Sequence, residues 1–271
     1  MSLSTAAPSR SRLYYERRGS GPLLLLIGSP LDSGGFAPLA SALADRYTVV
    51  TSDPRGIANS SREDTSEDVT PGPAGRGPPP AAVGARRRPA DVLGSSGGAL
   101  VGLALVTAHP DQLRTLVAHE PPLVELLADA ARLRAEIQNI YDTYRVEGAE
   151  KAMQKFLAHA GLGAGPAQEA DAPQWEPSPE RLARMRATTD QFLARLLHPT
   201  TRYRPDIGAV RPRPRPGADR KDLSRRLRCK LRSRGRVAGA VRLHARLSPC
   251  RRFVGAGSWV DQARMPGGEP W

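Results

Sequence analysis

The chain has 271 residues and a formal net charge of +13 at pH 7, long enough for one large α/β domain with a sizeable core. The charge is uneven: residues 208–271 hold 15 Arg and 2 Lys against 3 Asp and 1 Glu, so residues 1–207 sum to zero. A basic balance confined to one segment argues against a body built for nucleic acid or an anionic membrane. Both cysteines, Cys229 and Cys250, fall in that segment too, so the rest of the chain has no disulfide framework.

The first residues, "MSLSTAAPSRSRLYYERRG", contain no apolar run of signal-peptide type, and "LLLLI" and "ALVGLALVTA" are too short to span a bilayer. A soluble, cytoplasmic protein is expected. In chain order, "RLYYER", the turn "GSGP" and "LLLLIG" read as an opening hairpin whose second strand is buried. Phe36, Leu39 and Leu43 then share helical spacing, and "YTVVTSD" reads as another buried strand ending at Asp53. Strand, helix and strand in this order imply a right-handed parallel crossover.

Residues 71–88, "PGPAGRGPPPAAVGARRR", hold five prolines and four glycines and support no regular element. Order resumes with "ADVLGSSGGALVGLALVTAHP", a strand, a sharp turn and a helix, and "LRTLVAHEPP" adds a strand. A long helix follows with Leu126, Ala130, Leu133, Ile137, Tyr141 and Tyr144 on one face. Another helix carries Met153, Phe156 and Leu157. A third starts at Ser178 with Pro179 in its first turn and aligns Leu182, Met185, Phe192 and Leu196. From Gly208 onward no helical or strand period persists.

The turn carries the chemistry. Gly94-Ser95-Ser96-Gly97-Gly98 matches G-x-S-x-G, the nucleophile elbow, between a strand and a helix. A serine at such a tip sits in strained backbone, so its neighbours must be small. Ser96 would project its hydroxyl from the top of the sheet, and the Gly97 amide would point at a developing oxyanion.

With "LLLLIGSP", "TSDPRG", "GSSGG" and "LVAHEPP" in this order, residues 12–207 resemble the α/β-hydrolase superfamily, in its serine-nucleophile, capped form. The resemblance implies a mostly parallel sheet with a helical cap. It divides the chain into an N-terminal core part (1–122, with 71–88 an aberrant loop), a cap region (123–207) and an Arg/Pro/Gly-rich tail (208–271). It implies an oxyanion amide from Ser29, although Ile27 stands where a histidine is common, and a structural turn in which Asp53 and Arg55 fix the neighbouring loop. The implied activity is hydrolysis of an ester, amide or related acyl bond on a small-molecule substrate, without metal or other cofactor.

The family order is nucleophile, acid, histidine, and the last two should follow residue 205, where the Arg/Pro/Gly text begins. His109, His159 and His198 end helices, and His119 precedes the cap, out of order. His244 alone lies in the right part of the chain, as the remaining base, and Glu120 is the alternative acid. Residues 71–88 and 208–271 share the composition that a G+C-rich gene gives when read out of frame, and each replaces an element the fold requires. The C-terminal strands are therefore expected to be missing or disordered, and catalysis lost or weak.

Two other classes are weaker. A dinucleotide-binding unit needs G-x-G-x-x-G, but Gly28 is followed by Ser and Pro. The arginines of the tail would hold phosphate without specificity, and aromatic residues are too few for a stacking platform.

Overall fold

The computed structural model describes residues 12–62, 64–72, 89–162, 178–206, 208 and 227–230. Its sheet runs β1 (Tyr15–Arg18), β3 (Thr48–Ser52), β2 (Leu23–Ile27), β4 (Ala90–Ser95), β5 (Leu113–His119) and β6 (Leu227–Lys230) from edge to edge. Only β1 is antiparallel; β3, β2, β4, β5 and β6 pair in parallel.

The opening hairpin expected from "RLYYER" and "LLLLIG" does not form. β1 pairs with β3, Tyr15 opposite Ser52 and Arg18 opposite Val49, and β2 lies on the far side of β3. The Gly19–Pro22 turn instead packs on the segment entering β3, where Thr48 N donates to Pro22 O at 3.0 Å and Thr48 Oγ1 to Gly21 O at 2.9 Å. Gly19 has φ +71, and a Cβ there would stand 2.0 Å from Ala44 O. Turn composition predicts a reversal but not its partner strand, and a short polar edge strand pairs wherever a buried strand offers an open ladder.

Each face of the sheet buries its own layer. Helix α1 (Ala37–Leu43) follows a short 3-10 turn at Ser33–Phe36 and covers one face, with Phe36, Leu39 and Ala40 against Leu26 and Val49. The other face carries α2 (Gly97–Ala108), whose Leu100 and Leu103 pack with Leu25, Val92 and Leu116. Gly102 admits this contact, since a Cβ there would stand 2.6 Å from Leu116 Cδ1. Helix α2 is apolar all round because residues 97–105 are buried throughout.

Above the strands' C-terminal ends, α3 (Ala130–Glu147), α4 (Ala149–His159), α5 (Pro179–Gln191), a π turn (Phe192–Leu196) and α6 (Leu197–Thr201) form a separate cluster. Ile137, Ile140, Phe192, Leu193, Leu196 and Leu197 pack there on Ile57 and Val69 of the loop after β3. The predicted stripes hold in part. Leu126 lies in a 3-10 turn before α3 and is exposed, and Leu182 and Met185 of α5 also face outward. Ser178 caps α5 as expected, accepting from Arg181 N at 3.3 Å.

Strand β6, in a segment where no strand period persists, forms a four-residue ladder in parallel register from Leu116–Leu227 to His119–Lys230. Most of residues 71–88 and 208–271 lie outside the described residues.

Leu100 is fully buried and Met185 is 54% exposed. Leu100→Ala is expected to cost about 2–5 kcal/mol in urea unfolding, and Met185→Ala less than about 0.5 kcal/mol.

Candidate active site

Strand β4 ends at Ser95 and α2 begins at Gly97, so Ser96 alone makes the turn between them. Its backbone stands at φ 54, ψ −123, a region that L residues adopt only under constraint and at a cost of order 1–3 kcal/mol. Ser96 N donates to His119 O at 2.9 Å, and Ala99 N donates to Ser96 O at 2.9 Å, which ties the turn to β5 and to its own helix.

The glycines that flank the serine answer to steric demands. A Cβ on Gly98 would stand 2.0 Å from Ile27 O, and one on Gly94 2.5 Å from Gly98 O. These gaps let α2 start directly over β2 and β4. A Cβ on Gly97 would meet Ser29 O at 2.9 Å and Ser29 Cβ at 3.0 Å. The structure thus brings Gly97 and Ser29, the two oxyanion candidates of the sequence, side by side next to Ser96. The Gly97 amide belongs to the first turn of α2, whose N–H groups have no partner within the helix.

The loop bearing Ser29 is anchored by Asp53, which is 1% exposed. Ser33 N donates to Asp53 Oδ1 at 2.8 Å, and Asn59 N and Nδ2 donate to Oδ2 at 2.9 and 3.0 Å. Ser60 Oγ donates to Asp53 O at 2.9 Å and accepts from Tyr14 N at 2.9 Å. One carboxylate therefore clamps the loop after β2 to the turn after β3, the role expected of Asp53. Ser33, Asn59 and Ser60 were not legible as its partners, because they are short polar residues in loops. Arg55 lines the same region, in a cavity of about 30 Å³ bounded also by Gly28, Ser29, Gly97, Val69 and Leu196. That space admits about one water molecule.

The remaining candidates are scattered. Glu120 follows β5 directly with φ 48, so the chain turns sharply beyond the strand's end. His119, its neighbour, lies opposite Ser95 in the ladder, and its Nδ1 shares a 3.3 Å hydrogen bond with Ser95 Oγ. The imidazole of β5 thus meets the serine before the tip. His159 pairs with Glu136 at 2.9 Å, and His198 stacks on Tyr141 with ring centroids 4.8 Å apart. His244 lies outside the described residues. Among the described residues, no group of three or more His, Cys, Asp or Glu could hold a metal ion, and no helix is long and apolar enough to cross a membrane.

No family model matches the chain. Over 118 residues it is 37% identical to the uncharacterized hydrolase YraK of Bacillus subtilis (strain 168), an alignment covering 43% of this chain and 44% of that one. The chain thus spans less than half the length of this curated relative. A thermophilic esterase from Thermogutta terrifontis, solved with malate bound, superposes with a TM-score of 0.53 at 20% identity, over 77% of this chain and 73% of that one. A protein from Pseudomonas aeruginosa described as a candidate epoxide hydrolase gives 0.54 at 23% identity, over 84% and 76%. At such identities the likeness is one of fold.

Loss of the Asp53 carboxylate would leave the Ser33 and Asn59 amides without their acceptor. Asp53→Ala is expected to destabilise the protein by about 3 kcal/mol, read from the denaturation midpoint.

Proposed function

From the α/β-hydrolase fold of this chain, we propose that it is a serine hydrolase that cleaves an ester, amide or related acyl bond of a small molecule at Ser96. The observation that carries this reading is the backbone of Ser96 at φ 54 between two glycines that no larger residue could replace. Strain of this kind persists where the surrounding structure enforces it, and its product here is a hydroxyl held at the tip of a strand–helix turn.

In the proposed reaction Ser96 Oγ bonds to the acyl carbon, its proton passes to water, and the carbonyl electron pair moves onto oxygen. The Gly97 and Ser29 amides stabilise that oxyanion. Collapse re-forms the carbonyl and breaks the bond to the alcohol or amine, which takes a proton from water; a second water then attacks the acyl-serine, giving the acid and restoring the Ser96 hydroxyl. No imidazole among the described residues is hydrogen-bonded to Ser96 Oγ; the nearest such pair is Ser95 with His119. The oxyanion donors and substrate binding then carry the acceleration, of order 10³–10⁴ over the uncatalysed reaction.

The competing reading, a non-catalytic remnant whose Arg-rich segment holds nucleic acid or other anionic surfaces without specificity, predicts salt-sensitive retention on DNA and no covalent chemistry. The two are separated with a fluorophosphonate probe, which forms a stable adduct with an activated serine. Labelling of the full chain is expected at Ser96, with loss of at least about tenfold in Ser96→Ala and little change in Ser95→Ala. Labelling that persists in Ser96→Ala would remove the assignment.

A further inference from the structure

The cap contains a second recess, remote in composition from the elbow. A groove of about 390 Å³ opens between α3 and the π turn, lined by Tyr141, Tyr144, Arg145, Ala194 and Arg195. None of these residues lines the small cavity beside Gly97. Its volume falls in the range of small-molecule sites, roughly 300–1,000 Å³. From the sequence Tyr141 and Tyr144 suit either the lining of the acyl pocket or plain packing; the structure leaves both half-buried, on the groove and not on the cavity beside Gly97.

The π turn shapes this groove. A single wide turn spans Phe192–Leu196, and such turns are frequent at functional sites. Ala194 and Arg195 reach the groove, whereas Leu196 reaches the elbow cavity. Arg195 O accepts from Val69 N at 3.0 Å, which fixes the turn to the loop after β3.

The groove's chemistry is aromatic and cationic. Tyr141 and Tyr144 stand with ring centroids 6.3 Å apart at 52°, and Tyr141 rests on His198 at 4.8 Å. Burial, and Arg202 next, lower the pKa of His198, so the ring that backs Tyr141 is neutral at neutral pH. Neither Arg145 nor Arg195 pairs with a carboxylate among the described residues. Arg62, nearby, has its terminal nitrogens on the carbonyls of Thr65 and Glu67. Its pKa is lowered by burial first and by the Arg195 guanidinium next. Asp190 is the acid beside Tyr144, whose phenol is pushed up by burial and then by that carboxylate.

We infer that this groove binds a small aromatic carboxylate, its ring against Tyr141 and Tyr144 and its charge between Arg145 and Arg195. Tyrosine faces offer planar apolar contact, and an unpaired guanidinium favours a carboxylate over a neutral polar group. The assignment stands independently of any role for Ser96.

Calorimetric titration of the full chain with sodium benzoate, at fixed ionic strength, tests it. One saturable site is expected, with benzyl alcohol and inorganic phosphate each at least about tenfold weaker, the loss that follows from removing a charged or a stacking contact. Arg145→Gln and Arg195→Gln are each expected to weaken benzoate by about tenfold, and Ser96→Ala to leave it unchanged. Arg145 is exposed, so its substitution tests the site without disturbing the core. Benzoate that fails to bind, fails to saturate, is matched by phosphate, or binds equally well after Arg145→Gln overturns the site. Loss of binding in Ser96→Ala overturns its separation from the elbow.

Discussion

The first turn of α2 rests on main chain, and the rest of the structure follows from that. With no side chain at position 98, the helix begins over the carbonyl of Ile27, where any Cβ would stand 2.0 Å away. Close approach at that point puts the helix start against β2 and β4 together and forces the link from Ser95 to Gly97 to be a single residue. That residue takes φ 54 because no other path closes the turn. The strain at Ser96 is held by Leu100 and Leu103 packed on the sheet below it, so burial of α2 supplies the free energy that the strained tip costs.

Asp53 extends the same logic laterally. Burying a carboxylate is unfavourable unless its oxygens are filled, and three N–H donors fill them here. Those donors come from the two loops after β2 and after β3, strands that pair in parallel. The position of Ser29 beside Gly97 thus depends on a residue at the end of β3, next to β2 and with β2 between it and β4. The turn after β3 then presents Ile57 and Val69 to the helical cluster, so the carboxylate also sets where the cap lands.

How much of this was legible follows from the reach of each signal. The elbow was readable because its steric rule is local: small residues around one serine, between a β-like and an apolar helical run. Buried strands β2, β3, β4 and β5 were readable as short apolar runs. The partner of β1 was not, because ladder order is a tertiary choice and "GSGP" encodes a bend alone. The α3 stripe was misjudged at Leu126, which falls in a 3-10 turn where the helical period does not apply. Ala58 at φ 50 was invisible, since alanine carries no left-handed preference and tertiary contacts impose the conformation. The outward Leu182 and Met185 were equally hidden: residues 178–187 are exposed all round, so the first half of α5 lies clear of the cluster that buries Phe192 and Leu196.

β6 isolates what backbone alone can do. Residues 227–232, Leu-Arg-Cys-Lys-Leu-Arg, alternate apolar and basic, but the run is short and sits in an excess of arginine, so its strand signal is weak. Yet β5 presents a row of unpaired N–H and C=O groups on its outer side, and any extended segment can meet them, because ladder bonds do not depend on side-chain identity. Side chains decide what a strand buries, and here the buried faces were already set by β2 to β5 with α1 and α2. An extra edge strand can therefore join without altering the elbow, and the geometry around Ser96 depends on the central strands and not on the basic segment.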